Sequence, residues 1–289
     1  MGTLKPLAAA SLSLLAALAL ASCATVPDAG GSLPAGSRYV ALGSSYAAGA
    51  NIPPLAEGRP TRCGASAISY SRLLAQRLDL DLTDASCGGA TTAHLLGAWN
   101  ELPAQVEAVT AETRLVTITV GGNDLNYMGL MFAGSCRAGL RDPRLPAGAP
   151  CPTVSEPSAA DYARVENQIA EVVQQVRARA PQARVVLVQY VALVGDEPCA
   201  AAPLSEDDAL VARRVAAALA AATARAGERG GADVLPVERA SLGHTACSGQ
   251  PWSRGLAPGY TGAEGAPWHP TAAGHAAIAE MLAQMLSQG

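Results

Sequence analysis

Leu115-Val116-Thr117-Ile118-Thr119-Val120-Gly121-Gly122-Asn123-Asp124 is the stretch on which the fold turns. A β-branched apolar run reads as a buried strand, and the paired glycines stop it in a sharp turn. Working outward, Arg38-Tyr39-Val40-Ala41-Leu42 is a second short strand ending at Gly43, and Arg184 to Val191 and Asp233 to Val237 are two more. Helical patterns lie between and after them. Ser66 to Leu78 carries Ile68, Leu73, Leu74 and Leu78 at near-helical spacing and is followed by an Asp-rich stretch toward Cys87. Ala159 to Ala180 and Ser205 to Ala226 follow, the latter opening on the start signal Ser205-Glu206-Asp207-Asp208, and Thr271 to Leu286 is Ala-rich. Strands alternating with helices of this length specify right-handed crossovers and an open parallel sheet, an α/β fold. Ligands on such sheets bind beyond the carboxyl ends of the strands. The strand ends are therefore where chemistry is expected.

Composition narrows the function classes. The chain has 289 residues, 49% of them hydrophobic and 15% charged, with a formal net charge of -4. No basic stripe is available for a phosphate backbone, so a nucleic-acid partner is not expected. Nearly half the residues can be buried, which argues against disorder. Aromatics are 4%, so the core must rest on Ala, Leu and Val. No internal repeat or second core is visible, and residues 37-289 read as one domain.

The first segment reads as an address. Lys5 precedes an uncharged Leu/Ala-rich run of 15 residues, Leu7 to Ala21, too short for a membrane span and suited to a secretory core. It ends Leu20-Ala21-Ser22-Cys23, which looks like a bacterial lipobox. On that reading residues 1-22 are a lipoprotein signal peptide and Cys23 carries acyl chains that anchor the protein to a membrane. Residues 23-36, rich in Gly, Pro and Ser, form a flexible tether. An ordinary signal peptide cut nearby would instead leave the protein secreted.

Setting Cys23 aside leaves Cys63, Cys87, Cys136, Cys151, Cys199 and Cys247. An even number in an exported chain implies disulfides, although six cysteines allow 15 pairings and the sequence does not choose among them. The sequential pairing, Cys63 with Cys87, Cys136 with Cys151 and Cys199 with Cys247, is preferred because each bond would tie down a loop following a strand or helix. No C-x-x-C or Cys/His cluster points to a metal.

Four strand-end segments hold the candidate site. Gly43-Ser44-Ser45-Tyr46 sets hydroxyls at a strand-to-helix turn, where a serine oxygen can be exposed or can merely cap the helix. Cys87-Gly88-Gly89-Ala90-Thr91-Thr92 lets the backbone approach a ligand, or simply turns into a helix. Asn123 and Asp124 follow the central strand. Pro267-Trp268-His269-Pro270-Thr271 places a histidine in a non-helical loop before the last helix.

In this order Ser45, Gly89, Asn123 and His269 resemble the four blocks of the SGNH hydrolases, the GDSL-like esterase and lipase superfamily. The resemblance spans most of the chain after residue 37 and ends in Trp268-His269-Pro270-Thr271-Ala272-Ala273-Gly274-His275. The six cysteines also fall where secreted actinobacterial-type members place three disulfides, which favours the sequential pairing. The resemblance implies a three-layer α/β/α, flavodoxin-like sandwich and a serine esterase acting on an acyl-ester substrate. Ser45 would be the nucleophile and His269 the base. The N-H groups of Ser45 and Gly89 with the Asn123 amide would form the oxyanion hole, and neither metal nor cofactor would be required.

Two positions depart from the family pattern. Ser44 stands where the first block usually has Asp, and Ala266 stands where an Asp usually precedes the histidine by three residues. A Ser-His dyad is therefore expected, with the backbone carbonyl of Ala266 orienting the imidazole; Glu264 is two positions away from the usual spacing. His94, His244 and His275 read as packing or surface residues, and Asp124 as structural. Tyr127 to Pro157 reads as an irregular wall or lid bearing Met128, Met131 and Phe132, with Tyr46, Trp99 and Trp268 adding apolar surface. A short-chain carboxylesterase is the first expectation, ahead of a longer-chain lipase and a deacetylase of envelope polysaccharide. The alternative is a lipid-anchored envelope protein that binds an acylated or glycan ligand without catalysis. A monomer is expected.

Overall fold

The computed structural model describes residues 1–3, 33–140, 148–197 and 199–288. In chain order the elements are β1 (Arg38–Gly43), α1 (Ser45–Ala48), α2 (Tyr70–Leu78), β2 (Asp81–Asp84), α3 (Thr92–Leu96), β3 (Thr113–Thr119), α4 (Tyr127–Arg137), α5 (Ala159–Arg179), β4 (Arg184–Val188), α6 (Glu206–Gly230), β5 (Asp233–Leu235), α7 (Val237–Ala240) and α8 (Ala272–Ser287). The five strands make an all-parallel sheet in the order β2-β1-β3-β4-β5. Helices α2 and α8 pack together on one face, and α3, α5 and α6 cover the other. This is the expected three-layer α/β/α sandwich.

Both faces of the sheet are covered, so the inner strands β1, β3 and β4 carry near-continuous apolar runs over most of their length rather than alternating ones. Val40, Ala41, Leu42, Leu115, Val116, Ile118, Val185, Val186 and Leu187 are all buried. The long helices begin where the sequence signals them. The Ser158 and Asp161 side chains cap each other's backbone at the start of α5, Ser205 accepts from the Asp208 N–H at α6, and Thr271 accepts from the Gly274 N–H at α8. Each such cap contributes about 1 kcal/mol by satisfying an N–H that the helix leaves unpaired.

Two elements differ from the sequence reading. The Asp-rich stretch after α2 is the edge strand β2, paired in parallel with β1 from Arg38↔Asp81 to Ala41↔Asp84. Tyr127–Arg137, read as irregular, is the helix α4. Its glycines are where neighbours come close, and a Cβ on Gly134 would lie 3.0 Å from Leu204 Cδ2. Part of the segment read as a wall, 141–147, lies outside the described residues, as do the secretory run, Cys23 and most of the tether.

The disulfides join Cys63 to Cys87, Cys136 to Cys151 and Cys199 to Cys247. The second closes a separation of 15 residues, for which chain entropy gives about 3 kcal/mol. The first fastens the loop after α1 to the segment leaving β2, beside the site.

Strand order reverses between β1 and β3, so their outgoing loops diverge and open a crevice at the carboxyl edge. Gly43 is level with Thr119 across these strands. The crevice therefore opens between the segments carrying Ser45 and Asn123.

Candidate active site

The β1 turn is held by packing that leaves little choice. Gly43 has φ +138°, and a Cβ there would lie 2.3 Å from the Thr119 carbonyl oxygen, so only glycine fits. The buried Gln105 side chain clamps the same residue, accepting from the Gly43 N–H at 2.7 Å and donating to its carbonyl at 3.0 Å. Ser44 is buried, and its Oγ shares a 3.0 Å hydrogen bond with the Tyr190 hydroxyl, which also accepts from the Gly122 N–H at 3.0 Å. Tyr190 thus links the β1 turn to the β3 turn at the position where the family pattern has a carboxylate.

Ser45 opens α1 with its Oγ 2.8 Å from His269 Nε2. On the other side of the ring, Nδ1 is 2.7 Å from the Pro267 carbonyl oxygen. A carbonyl can only accept, so Nδ1 carries the proton and Nε2 is left as acceptor for the Ser45 hydroxyl. The orienting carbonyl is therefore that of Pro267, not Ala266 as expected. The reason is local backbone geometry: Trp268 sits at φ +58°, a left-handed turn that brings the imidazole back over the residue two before it. The Ala266 N–H is tied away to the Ala50 carbonyl at 2.7 Å.

Glu264 does not fill the missing carboxylate position. Its side chain is 83% exposed and ion-paired to Arg254 at 3.2 Å.

The histidine loop is anchored from beneath. Trp268 is fully buried, its indole N–H donating to Ser135 Oγ at 3.0 Å, and the Tyr46 hydroxyl donates to the Trp268 carbonyl at 2.5 Å. The Tyr46 ring packs between His269, at 4.8 Å between centroids, and Tyr190, at 4.2 Å. Burial raises the Tyr46 hydroxyl well above the usual phenol range, which keeps it a neutral donor. Tyr46 and Trp268 are thus supports under the site and not the exposed apolar surface anticipated for them.

Gly89 and Asn123 flank the serine. Gly89 is left-handed at φ +83°, and a Cβ on it would come within 3.3 Å of the Trp99 ring. Asn123 Nδ2 donates to the Ala90 carbonyl at 2.9 Å, which fixes the amide and leaves its second N–H available. The N–H groups of Ser45 and Gly89 donate to no acceptor among the described residues. Asp124 has the structural role expected of it. Its carboxylate accepts from the Thr92 N–H at 3.1 Å and from the Thr92 hydroxyl at 2.5 Å, stitching the Asn123 turn to the start of α3.

The remaining histidines are packing groups. His94 stacks on Trp99, and His244 on Trp252. His275 is buried, accepts from the Tyr70 N–H at 3.0 Å, and is held down to about 3 by burial and by nearby His269, so it stays neutral. Among the described residues, no group of three or more His, Cys, Asp or Glu side chains is arranged to hold a metal. Ser45, Gly89, Asn123 and His269 all border one cleft of about 610 Å³, with Met128, Phe132, Leu256 and Tyr260 also in its wall. Met128 and Phe132 project from α4, the helix that the sequence did not disclose.

The model of the GDSL-like lipase/acylhydrolase family matches residues 41–277. Lipase 2 of Streptomyces coelicolor is 33% identical over 255 residues, covering 86% of this chain and 85% of that protein. The extracellular lipase of Streptomyces rimosus superposes with a TM-score of 0.65 at 26% identity, over 87% of this chain and 99% of that one. The phospholipase A1 of Streptomyces albidoflavus gives 0.67 at 26% identity, over 88% and 100%.

Proposed function

The chain belongs to the GDSL-like lipase/acylhydrolase family and is a carboxylic ester hydrolase of that type, and from this premise we propose that it works through a Ser45–His269 dyad and an acyl-enzyme. The observation that carries the reading is the relay from the Ser45 hydroxyl through His269 to the Pro267 carbonyl, at 2.8 and 2.7 Å.

Ser45 Oγ attacks the ester carbonyl carbon as Nε2 takes its proton, which removes the chief weakness of a hydroxyl nucleophile. The carbonyl π pair moves onto oxygen. That oxyanion is met by the N–H groups of Ser45 and Gly89 and by the free N–H of the Asn123 amide, donors in place before charge develops. Collapse breaks the bond to the alcohol oxygen, which leaves with the proton from Nε2, and the acyl group stays on Ser45. Water then gives Nε2 a proton and adds to the acyl carbon, and release of the acid returns that proton to Ser45. The Pro267 carbonyl fixes the tautomer throughout and stabilises the imidazolium by its dipole in place of a carboxylate.

The reading extends to a short-chain ester, whose acyl group would lie against the apolar wall that includes Met128 and Phe132. Export is supported by the three disulfides, which persist in oxidising compartments, and by a relative described as extracellular. We extend the proposal to residues 1–22 as a signal peptide, a lipid anchor on Cys23, a tether to residue 36 and a monomeric catalytic domain over 37–289.

The test is turnover of p-nitrophenyl esters from acetate to palmitate by the oxidised protein. Ser45→Ala and His269→Ala should each lower kcat by at least about 10⁴-fold, and the double variant should lose little more, because the pair acts as a unit. A serine-directed phosphonate should label Ser45. Turnover that survives Ser45→Ala would reject the dyad, and no turnover with no labelling would favour the non-catalytic binding protein.

A further inference from the structure

The cleft is polar on one flank in a way the dyad does not use. Among the described residues that line it, Arg62 carries the formal charge, and no carboxylate joins it there. Arg62 stands in the loop that Cys63 fastens to Cys87, at the exit of β2. Met128 and Phe132 stand on α4, after β3. Because β1 lies between β2 and β3 in the sheet, the cation and the apolar wall flank Ser45 from opposite sides.

The guanidinium is positioned closely. Its carbon lies 4.1 Å from the centre of the Trp99 ring, whose stacking is completed by His94 at 4.1 Å. The same Trp99 ring borders Gly89, so the cation is built against the oxyanion flank. Nε donates to Glu101 at 2.7 Å and Nη2 to the Trp99 carbonyl at 3.1 Å, while Nη1 has only a long contact of 3.8 Å with Cys87 Sγ. A guanidinium has five N–H donors. Capacity therefore remains on both Nη1 and Nη2 for a further acceptor. The Glu101 side chain is 58% exposed, and a pair on such a rim holds weakly and can be exchanged for another anion.

We propose that Arg62 binds an anionic group carried by the ester, so that the preferred substrates are acyl esters bearing a phosphate or carboxylate a few atoms from the scissile carbonyl; this rests on the ester-hydrolase reading above. Charge-assisted hydrogen bonds to a planar fork select such a group over a neutral isostere. Arg62 is a specificity residue here, and the bond-making steps remain with Ser45 and His269.

The experiment compares kcat/KM on two matched pairs of esters. One pair is hexanoylglycerol and hexanoylglycerol phosphate. The other is p-nitrophenyl butyrate and p-nitrophenyl hemisuccinate, so the arms separate a phosphate from a carboxylate. The wild-type ratio of charged to neutral ester should exceed one in at least one arm and fall with added salt. Arg62→Gln should lower that ratio by roughly tenfold, the size of a lost charged hydrogen bond. Glu101→Gln, which frees the guanidinium, should raise it, and this variant keeps the test decisive if the first does not fold. Ratios unmoved in both variants, with neutral esters still hydrolysed, would overturn the proposal and leave the ester-hydrolase reading intact. If no ester is turned over and Ser45 is not labelled by a phosphonate, both readings fail.

Discussion

The two halves of the proposed dyad are held by different means. Ser45 sits at the end of a central strand, where Gly43 is level with Thr119 and the Gln105 amide brackets the Gly43 peptide. His269 sits in a coil with no strand of its own, located by groups sent from far along the chain: the Tyr46 hydroxyl to the Trp268 carbonyl, Ser135 to the Trp268 indole, and the Ala50 carbonyl to the Ala266 N–H. The proposed nucleophile is thus fixed by the end of a central strand and the Gln105 clamp on it, and the proposed base by a few long-range contacts. A damaged support should cost stability at the first and turnover at the second.

Gln105→Ala tests the first half and should have the larger effect. It leaves the buried Gly43 N–H without an acceptor and opens a space behind β1, whereas the Gly43 carbonyl keeps the Cys87 N–H. An unpaired buried group costs about 1–3 kcal/mol, and the lost packing adds to it, so a drop of about 2–4 kcal/mol in unfolding free energy is expected. Urea unfolding measures it. If kcat falls instead while stability holds, the nucleophile turn is not rigid in the way its hydrogen bonds imply.

Tyr46→Phe tests the second half. The ring remains to pack on His269 and Tyr190, and only the hydroxyl bond to the Trp268 carbonyl is lost. The histidine then samples orientations that do not reach Ser45, so kcat should fall about tenfold, equivalent to ~1.4 kcal/mol, with KM little changed. A variant that changes KM alone would mean that the tie shapes the cleft and not the base.

The same division marks how far the sequence could be read. The β1 and β3 strand ends were legible because a buried parallel strand is a continuous apolar run, and a glycine ends it. Edge strand β2 escaped notice because Asp81-Leu82-Thr83-Asp84 pairs on one side only and exposes Asp81 and Thr83. Helix α4 escaped because Gly129 and Gly134 look like breaks in sequence, although the space each glycine leaves is taken up by close packing. The orienting carbonyl lies one residue beyond the expected one because Trp268 is left-handed, a backbone angle that residue spacing does not reveal. Arg62 carried no recognisable motif; its place in the cleft wall comes from the Cys63–Cys87 bond and the Trp99 ring.

The smallest expected effect bears directly on whether a carboxylate works in the histidine loop. Glu264 is the acidic residue nearest in sequence to the usual triad position, and charge alone recommends it as the group behind His269. The geometry points elsewhere: the Glu264 carboxylate faces solvent and Arg254, while Nδ1 already meets the Pro267 carbonyl. An exposed pair of this kind is screened by water and salt and transmits little to a ring oriented from another direction. Glu264→Gln should therefore keep kcat within about twofold of wild type, with the acidic limb of the kcat/KM profile at the same pH. A loss approaching that of Ser45→Ala would make the enzyme a triad after all, with Glu264 acting on His269 in place of the Pro267 carbonyl.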